Sequence, residues 1–257
     1  MESIYNKITE VLKNRQEAAL CTIVSTIGST PLKSGAKMIV WENGQIFGTI
    51  GGGRLEKAVT DDAVSVIKNR KPQLFSHELK DQHRMCCGGS LEIFIEPIMQ
   101  SKKLFIFGGG HVGKAIVKHA LDLDFDISVI DSRKEIFNDW TFTGFSKVTG
   151  EFADVLPTLG FDESSFIVIA TYDHQTDREV LSFCINKPHY YLGMIGSKNK
   201  IAITRQKFIS AGIAAKEDLD NVDMPVGIDI NAETADEIAV SIVAKLISEK
   251  NKPIKLK

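Results

Sequence analysis

The sequence predicts an α/β fold: a C-terminal Rossmann-like, doubly wound parallel sheet preceded by a smaller N-terminal α+β domain. After residue 100, short apolar runs alternate with segments of helical periodicity, which is the pattern of repeated strand–helix units. Before residue 100, apolar runs flank the turn Glu42-Asn43-Gly44, which is typical of an antiparallel hairpin. We therefore assign residues 1–100 to one domain and residues 101–257 to the other, linked by the polar segment 97–103.

The N-terminal domain is predicted to combine helices with hairpin strands. Apolar residues three or four apart indicate helices at 2–16 and 54–68. Continuous or alternating apolar residues indicate strands at 18–26, 36–41, 45–50 and 91–97. The Asn-Gly pair of the hairpin supplies the positive φ angles of a tight turn, and Pro97 is expected to end the last strand.

The C-terminal domain is predicted to contain parallel strands connected through helices. The strands are expected at 103–107, 127–130, 145–148, 166–170 and 189–194. The helices are expected at 112–122, 175–185, 198–211 and 232–248. Thr234 and Glu237 have the spacing of a capping box at the start of the final helix.

Charge and composition exclude several classes of partner. The formal net charge of -2 gives no electrostatic argument for binding nucleic acid or an anionic membrane. No apolar run approaches the roughly 20 residues that span a bilayer, and the N-terminus lacks the apolar core of a secretory signal. The cysteines are therefore expected to be free thiols in the reducing cytoplasm; they are Cys21, Cys86, Cys87 and Cys184.

The first strand of the second domain leads into Gly108-x-Gly110-x-x-Gly113, the spacing of a dinucleotide-binding fingerprint. The first glycine permits a tight turn, the second admits a pyrophosphate, and the third lets the helix pack closely against the strand. Asp131 ends the second strand, where an acid can bind ribose hydroxyls. Arg133 could favour a 2′-phosphate or another anion, or be a solvated surface charge. The alternative for the glycines is a tight strand–helix turn without a ligand.

A second glycine-rich loop, Gly51-Gly52-Gly53-Arg54, also lies between a predicted strand and a predicted helix. Consecutive glycines can form a backbone nest for an anion, and Arg54 would add positive charge. The loop lacks the Gly-Lys-Ser/Thr of a Walker motif. A flexible exit from the hairpin explains the same residues equally well.

Two adjacent cysteines, Cys86 and Cys87, precede Gly88-Gly89. A zinc site with His83 is disfavoured because a closed site needs four ligands and the sequence has no CxxC or second cluster. A buried, inert thiol is the usual state of such a cysteine. A thiolate beside glycine N–H groups would instead be able to ligate a soft metal or accept sulfur.

Two polar motifs follow later strands, Thr171-Tyr-Asp173-His174-Gln-Thr-Asp177 and Gly196-Ser197-Lys198. Ligands of an open α/β sheet bind beyond the carboxyl ends of its strands, so both motifs are expected to face the crevice of the glycine fingerprint. Asp173 and His174 could equally cap a helix. The sequence shows no Ser-His-Asp, HExxH or Tyr-x-x-x-Lys arrangement.

Taken in order, these motifs resemble the XdhC/CoxI family of molybdenum-enzyme accessory proteins. In the first domain the resemblance rests on "TIVSTIGSTPLKSGAKMIV", "GTIGGGRLEKAV" and "CGGSLEIFIEP". In the second it rests on "LFIFGGGHVGKAI", "VIDSR", "TYDHQTD", "YYLGMIGSKNK" and "PVGIDINAETADEIAVSI". The ordered combination covers most of the chain and is specific, although each motif alone is weak.

The resemblance implies a chaperone without turnover of its own that binds molybdenum cofactor, as molybdopterin or its dinucleotide form. It implies that a cysteine desulfurase assists the exchange of an oxo for a sulfido ligand on the cofactor. The cofactor is then inserted into an apo molybdenum hydroxylase such as xanthine dehydrogenase. A homodimer is implied as well.

The resemblance also implies a set of cofactor-binding residues. Cys87 occupies the cysteine of the family's Cys-Gly-Gly motif and is the candidate thiol and metal ligand, ahead of Cys86. The other expected cofactor-binding residues are Gly51, Gly52, Gly53, Gly108, Gly110, His111, Gly113, Asp131, Arg133, Asp173, His174, Gly196 and Ser197.

An NAD(P)-dependent oxidoreductase that uses the Rossmann crevice is the alternative function. Asp131 favours this alternative, because it lies at the position where an acid binds ribose hydroxyls. The N-terminal motifs and the lack of an obvious proton-transfer constellation favour the chaperone. The two hypotheses are compatible with each other if NAD(P) binds as a structural or regulatory ligand.

Overall fold

The computed structural model of the chain describes residues 3–14, 16–79 and 88–252. The chain separates into two compact units that divide between Gln100 and Ser101. The first unit contains an antiparallel sheet and the second a parallel sheet, which confirms the predicted fold class. No helix among the described residues is both long enough and apolar enough to cross a membrane.

The first unit places helices on both faces of a five-stranded sheet. Its helices are α1 (Ile4–Lys13) and α2 (Gly53–Asn69). Its strands are β1 (Ala18–Ile27), β2 (Lys37–Trp41), β3 (Ile46–Gly48), β4 (Gln73–Glu78) and β5 (Ser90–Ile98). The strands pair antiparallel in the order β3-β2-β1-β5-β4.

Three features of this sheet differ from the sequence prediction. The sequence does not predict β4, whose mostly exposed residues form a strand because they pair with β5. Pro97 lies inside β5, opposite Ala19, and the strand continues to Ile98. The hairpin turn has a positive φ (80°) at Gly44 but not at Asn43, as in a loop that a single left-handed residue closes.

The core of the first unit lies mainly between the sheet and α2. Leu55 and Val59 of α2 pack against Ile23 and Ile93 of the sheet. On the opposite face, Val11 of α1 packs against the sheet. Burial of apolar surface on this scale is the main force that holds such a sheet together.

The two described cysteines are buried and unpaired. Cys21 lies in the first unit and Cys184 in the second. Burial raises the pKa of each thiol to about 12, and the charge of Asp62 adds to the shift at Cys21. Both thiols are therefore protonated at neutral pH, which makes them poor nucleophiles and poor metal ligands.

The second unit alternates strands and helices. Its strands are β6 (Lys102–Phe107), β7 (Phe125–Asp131), β8 (Ser146–Thr149), β9 (Phe166–Ile169) and β10 (Tyr191–Met194). Its helices are α3 (His111–Ala120), α4 (Phe152–Val155), α5 (His174–Cys184), α6 (Lys198–Ser210), α7 (Lys216–Asp220) and α8 (Ala235–Lys250). The predicted strands and long helices are confirmed with small shifts at their ends, as is the capping box of Thr234 and Glu237. The sequence does not predict the single-turn helices α4 and α7.

The parallel strands of the second unit follow the order β10-β9-β6-β7-β8. The chain moves from β6 outward to β8, then crosses back to β9 and β10 on the other side. Helices α3 and α8 contribute to the core on one face, and α5 and α6 to the core on the other. The strand order therefore reverses between β6 and β9, and sheets of this kind bind ligands beyond the carboxyl ends of the strands at such a point.

An extended segment around Asp223 lies alongside β10. The Asp223 N–H donates to the Leu192 carbonyl (2.9 Å), and the Asp223 carbonyl accepts from the Met194 N–H (3.0 Å). The Tyr191 hydroxyl donates to the Asp223 carboxylate. These bonds occupy backbone groups of β10 that would otherwise lie unpaired at the edge of the sheet.

An ion pair at the start of β6 predicts sensitivity to acid. Lys103 Nζ lies 2.7 Å from Asp162 Oδ2, and Ser164 donates to Oδ1 through its N–H and its hydroxyl. Burial alone would raise the pKa of Asp162, but the hydrogen bonds from Lys103 and Ser164 outweigh it and lower the pKa to about 2. A depressed folded-state pKa stabilises the fold above the ordinary pKa near 4, and this stabilisation is lost as the pH falls through the folded value.

We expect the difference in urea midpoint between the wild-type protein and Asp162→Asn to shrink between about pH 5 and about pH 2. The shrinkage follows because the wild-type carboxylate loses its advantage as it is protonated, while asparagine does not titrate. Chemical denaturation at a series of pH values measures it. A difference that stays constant over this range would show that Asp162 is not linked to stability.

Candidate functional site

The glycine fingerprint lies at the switch point of the parallel sheet. Gly108 follows β6, and its N–H donates to the Ile130 carbonyl of β7 (2.8 Å). The Ala170 N–H, at the end of β9, donates to the Phe107 carbonyl (2.8 Å). The residues that follow β6, β7 and β9 are thereby brought to one edge of the sheet. The ordering of these strands therefore gathers most of the predicted crevice residues of the second domain.

The three glycines of the fingerprint have different surroundings. A Cβ on Gly108, which has a φ of 110°, would lie 2.0 Å from the Ala170 carbonyl oxygen. A Cβ on Gly113 would lie 1.9 Å from the Gly108 carbonyl oxygen. Gly110 has an ordinary φ of -68°, and apart from its two chain neighbours no residue has an atom within 4 Å of its added Cβ. The turn and the close packing thus require the first and third glycines, whereas admission of a phosphate beside the second stays a prediction.

Helix α3 begins at the exposed His111, and its N-cap residue, Gly110, has no side chain to accept from the first N–H groups. The first N–H groups of a helix lack intrahelical partners and carry the positive end of the helix dipole. In α1, α5, α6 and α8 the N-cap side chain accepts from such groups; these residues are Ser3, Asp173, Ser197 and Thr234. The start of α3 can therefore receive an anion from a ligand.

The carboxylate of Asp131 is fully buried at the end of β7. Its Oδ2 accepts from the Gly109 N–H (2.8 Å) and from Arg133 Nη2 (2.8 Å). Its Oδ1 accepts from the Arg133 N–H (3.0 Å) and from Arg133 Nε (2.9 Å). Burial alone would raise the pKa of Asp131, but the hydrogen bonds from Arg133 and Gly109 outweigh it and lower the pKa. A carboxylate has about four acceptor positions, so the four bonds leave none for ribose hydroxyls.

Arg133 is held between two strand ends. Its guanidinium carbon lies 5.1 Å from the centre of the Tyr172 ring, which follows β9, in a cation–π contact. The hydrogen bond to Asp131 raises the pKa of Arg133. The side chain of Arg133 is 42% exposed and Tyr172 is 53% exposed, so both are accessible from solvent. Arg133 is therefore not a freely solvated charge, and its binding of an anion stays a prediction.

The motif after β9 combines a helix cap with a His–Asp pair. Asp173 is the N-cap of α5 and accepts from the Thr176 N–H (3.0 Å) and hydroxyl (2.6 Å). Buried Asp177 accepts from the Thr171 N–H (2.9 Å) and hydroxyl (2.6 Å). Nδ1 of the half-exposed His174 lies 3.5 Å from Asp177, and burial raises the pKa of Asp177. Asp173 thus serves as the helix cap that the sequence allowed, and His174 is an accessible polar side chain of this motif.

The motif after β10 is one strand further from the glycine fingerprint, because β9 separates β10 from β6. The Ser197 hydroxyl caps α6 by accepting from the Lys200 N–H (3.4 Å). A Cβ on Gly196 would make an ordinary contact with Ile201 (3.4 Å). The structure therefore gives Ser197 a local role in starting a helix, and a role of Gly196 and Ser197 in cofactor binding stays a prediction.

The glycine-rich loop of the first unit forms a backbone nest. Gly51, Gly52 and Gly53 all have positive φ (130°, 79° and 65°). Glu56 Oε1 accepts from the Gly52 N–H (2.9 Å), the Ile50 N–H (3.2 Å) and the Thr49 hydroxyl (2.5 Å). The chain's own carboxylate thus occupies the position that the sequence predicts for a ligand anion. An incoming anion would have to displace Glu56.

We expect Glu56→Ala to lower the free energy of unfolding by about 1–3 kcal/mol, because it removes the acceptor for partly buried N–H groups. We also expect phosphate or sulfate to restore part of this loss, because either anion can occupy the vacated nest. Thermal unfolding with and without phosphate measures both effects. Asp61→Ala removes an exposed carboxylate from the same helix and is the matched control. A variant that gains no more from phosphate than this control would show that the nest does not accept an anion.

Cys86 and Cys87 lie outside the described residues, together with His83. The predicted role of Cys87 as thiol and metal ligand therefore stays a prediction. In residues 3–14, 16–79 and 88–252, no group of three or more His, Cys, Asp or Glu side chains is placed to hold a metal ion.

Sequence reasoning does not select Tyr172 or Glu56 as residues of these two sites. The sequence does contain a signal for Tyr172: it is an aromatic residue three positions after the last residue of buried strand β9, on the side where ligands bind. Glu56 lies in the first turn of α2, where an acidic residue complements the helix dipole, and its reach back into the loop depends on the side-chain geometry.

Two family models match this chain. The model described as the XdhC Rossmann domain matches residues 104–246. The model described as the XdhC and CoxI family matches residues 11–78. The matches cover the parallel sheet with its glycine fingerprint and most of the antiparallel sheet.

Relatives in two bacteria align along nearly the whole chain. The Escherichia coli protein YqeB is 34% identical over an alignment of 255 residues that covers 96% of this chain and 46% of YqeB, so the chain spans about half the length of that relative. A Bacillus subtilis protein, named as a probable subunit of xanthine dehydrogenase, is 21% identical and aligns over 98% of this chain and 99% of its own length. The molybdenum cofactor insertion chaperone PaoD of Escherichia coli is 21% identical and aligns over 93% of this chain and 85% of its own length.

A solved structure shows a similar fold. A Bacillus halodurans protein named as a xanthine dehydrogenase superposes with a TM-score of 0.53 at 22% sequence identity, over 99% of this chain and 98% of its own. With the family models matching both the parallel sheet and the N-terminal sheet, this chain belongs to the XdhC and CoxI family.

Proposed function

We propose that this protein binds molybdenum cofactor as cargo and delivers it to an apo molybdenum hydroxylase such as xanthine dehydrogenase. The observation that carries the proposal is the alignment, over 93% of this chain, with a relative named as a molybdenum cofactor insertion chaperone. A second relative, which aligns over 98% of this chain, is named as a probable subunit of xanthine dehydrogenase. The protein thus serves another enzyme as an accessory factor.

The crevice of the second unit suits the chemistry of this cargo. Molybdenum cofactor carries a phosphate on a flat pterin, and it needs an anion-binding backbone together with a flat surface. The start of α3 beside Gly110 provides N–H groups and open space. Arg133 provides a fixed cation, and Tyr172 provides an exposed aromatic ring. We therefore place the phosphate of the cargo at this edge of the parallel sheet, with His111 and His174 beside it.

The hydrogen bonds of Asp131 weaken the argument for an oxidoreductase that uses unphosphorylated NAD. That argument depends on Asp131 accepting ribose hydroxyls, as the acid does in dinucleotide-binding domains. Arg133 and Gly109 already occupy the acceptor positions of this carboxylate. The crevice as folded therefore offers no free carboxylate to the ribose hydroxyls of an unphosphorylated nucleotide.

The finer steps of cofactor maturation are also part of the proposal. Cys87 is the thiol that contacts the molybdenum centre, and a cysteine desulfurase supplies the sulfur for the sulfido ligand. The protein acts as a homodimer in the cytoplasm. Cargo transfer needs no catalytic turnover by the protein itself, because the pterin and the phosphate of the cofactor are not altered when the cofactor passes to the apo enzyme.

Reconstitution of an apo enzyme tests the proposal. The purified protein is loaded with molybdenum cofactor and mixed with apo xanthine dehydrogenase, and dehydrogenase activity is followed. We expect faster and more complete activation than with an equal concentration of free cofactor. Equal activation by the free cofactor, or failure of the protein to retain cofactor on gel filtration, would refute the chaperone function.

The two adjacent cysteines provide a test of the thiol. We expect Cys87→Ala to release the cofactor during gel filtration and Cys86→Ala to retain it. The two variants remove the same atoms from neighbouring positions, so each controls for the other. If Cys86→Ala releases the cofactor and Cys87→Ala does not, the assignment of the thiol is wrong.

A further inference from the structure

At the end of β7, an arginine binds the acid that is free to bind ribose in a dinucleotide-binding domain. Asp131 has no acceptor position left, since Gly109 and Arg133 donate four hydrogen bonds to it. A ligand that reaches this point therefore meets the guanidinium of Arg133 and not the carboxylate. Recognition at this point therefore depends on N–H groups of Arg133 that donate to an anion, and not on a carboxylate that accepts hydrogen bonds from hydroxyl groups.

The guanidinium of Arg133 has an unused edge. A guanidinium has five N–H donors, and Asp131 accepts from Nε and from Nη2. Within the part of the chain that the structure describes, the remaining donors on Nη1 and Nη2 have no other acceptor. These two nitrogens form a planar fork that matches two oxygens of a phosphate.

Two contacts hold this fork in a fixed orientation. The bidentate bond to the buried Asp131 restrains the plane of the guanidinium, and the Tyr172 ring lies 5.1 Å from its central carbon. The side chain loses little conformational entropy when it binds, because it is already ordered in the folded protein. Such preorganisation favours a ligand whose charge and shape fit the fork.

The fork is adjacent to the start of α3. Arg133 Nη2 and the Gly109 N–H both donate to the same oxygen, Asp131 Oδ2, at 2.8 Å each. The Asp131–Arg133 pair is neutral overall, so the helix N-terminus supplies additional favourable potential for an anion. The fork and the start of α3 therefore border one position, which is the one that we propose for the phosphate of the cargo.

We propose that the cluster formed by Asp131, Arg133 and Tyr172 binds a phosphomonoester and discriminates against an unphosphorylated ribose. The proposal rests on the proposed function only in placing the ligand in this crevice. A phosphomonoester bears up to two negative charges and three terminal oxygens, which suits the open edge of the guanidinium. Its source is either the phosphate of molybdenum cofactor or a phosphate on a nucleotide, and the experiment separates the two.

NADP⁺ and NAD⁺ are suitable probes because they differ only in a 2′-phosphomonoester on the adenine ribose. We expect the wild-type protein to bind NADP⁺ at least about tenfold more tightly than NAD⁺, the discrimination that one charge-assisted hydrogen-bond pair provides. Isothermal titration calorimetry measures both affinities. Equal affinities, or no detectable binding of NADP⁺, would overturn the proposal.

Substitutions in the cluster test which side chain is responsible for the preference for NADP⁺ over NAD⁺. Arg133→Gln is expected to reverse the preference, because it removes the fork and frees Asp131 to accept from ribose hydroxyls. Arg133→Lys keeps the charge but lacks the planar fork, so it is expected to lose most of the discrimination. Lys134→Gln removes a neighbouring exposed charge and is the matched control; it should keep the wild-type preference. If Lys134→Gln reduces the preference as much as Arg133→Lys, the effect is general electrostatics and the proposal fails.

Substitutions of Tyr172 test the cluster without changing the hydrogen bonds between Arg133 and Asp131. Tyr172→Ala leaves the buried pair intact, and we expect it to reduce the preference for NADP⁺ by about threefold through loss of the cation–π contact. Tyr172→Phe retains an aromatic ring and should retain the preference. An unchanged preference in Tyr172→Ala would remove the ring from the proposed cluster.

Competition identifies the source of the phosphate. If molybdenum cofactor displaces NADP⁺ from the wild-type protein but does not displace NAD⁺ from Arg133→Gln, the fork binds the phosphate of the cargo. Failure of the cofactor to displace NADP⁺ would assign the fork to a phosphorylated nucleotide. The proposed delivery function is tested separately, by activation of the apo enzyme. The delivery function can therefore fail while the NADP⁺ preference persists, and the preference can fail while delivery persists.

Discussion

Gly110→Asp is expected to weaken binding of molybdenum cofactor by at least about 100-fold, since several charge-assisted hydrogen bonds of about 1.5–3 kcal/mol each are lost. Gly110 has the backbone conformation of an N-cap, with φ -68° and ψ -168°, and apart from its two chain neighbours no residue has an atom within 4 Å of its added Cβ. An aspartate there would cap α3 with its own carboxylate, as Asp173 caps α5. Its negative charge and its oxygens would occupy the place that we propose for the phosphate.

The fold should tolerate this change. Aspartate and glycine differ by only a few tenths of a kcal/mol as N-cap residues. Gly110→Asn is the matched control, because it adds the same number of side-chain atoms and can cap the helix without a charge. Equilibrium binding of the cofactor and thermal unfolding of all three proteins provide the measurements. If Gly110→Asp binds the cofactor as tightly as the wild-type protein does, the start of α3 is not the phosphate site.

Gly113→Ala is expected to destabilise the second unit by about 3 kcal/mol or more, the upper range for an overpacked interior. Its Cβ would lie 1.9 Å from the Gly108 carbonyl oxygen, which is a backbone atom and cannot move aside as a side chain can. Helix α3 would have to move away from β6, and the packing of buried Ile116 on the sheet would loosen. The loss should appear as a lower urea midpoint.

Gly110→Ala is the matched control for this prediction, because it adds the same methyl group where nothing lies within 4 Å. It is expected to change the free energy of unfolding by no more than about 1 kcal/mol. Trp140 is buried in the second unit and Trp41 lies in the first. Fluorescence of Trp140 in a Trp41→Phe background therefore reports unfolding of the second unit. Equal midpoints for the two alanine variants would contradict a structural requirement for Gly113.

These two predictions assign separate roles to glycines of one motif. Gly113 is needed because the helix approaches the strand too closely for a side chain. Gly110 is not needed by the fold, since its φ is ordinary and its surroundings are open. A residue that the fold does not require is the better candidate for a role in ligand binding. The motif therefore contributes both to stability and to the proposed site, through different positions.

The sequence predicts the second unit well because its signals are local. Strands β6 and β9 contain continuous runs of four apolar residues, and the helices between the strands show a regular apolar spacing. The glycine spacing locates the turn between β6 and α3, and the capping box locates the start of α8. The strand β4 and the segment beside β10 are less evident, because pairing with neighbouring strands defines them and periodicity does not.

By itself, the sequence determined the fold class, the resemblance to the XdhC and CoxI family and the glycine turn at the start of the second domain. The tertiary structure alone decided which groups remain available to a ligand. Asp131, the expected ribose acceptor, is occupied by Arg133 and Gly109, and the nest of Gly51–Gly53 is occupied by Glu56. The physical reason is that apolar periodicity is a property of nearby residues, whereas a hydrogen bond depends on where folding places individual atoms to within a few tenths of an ångström.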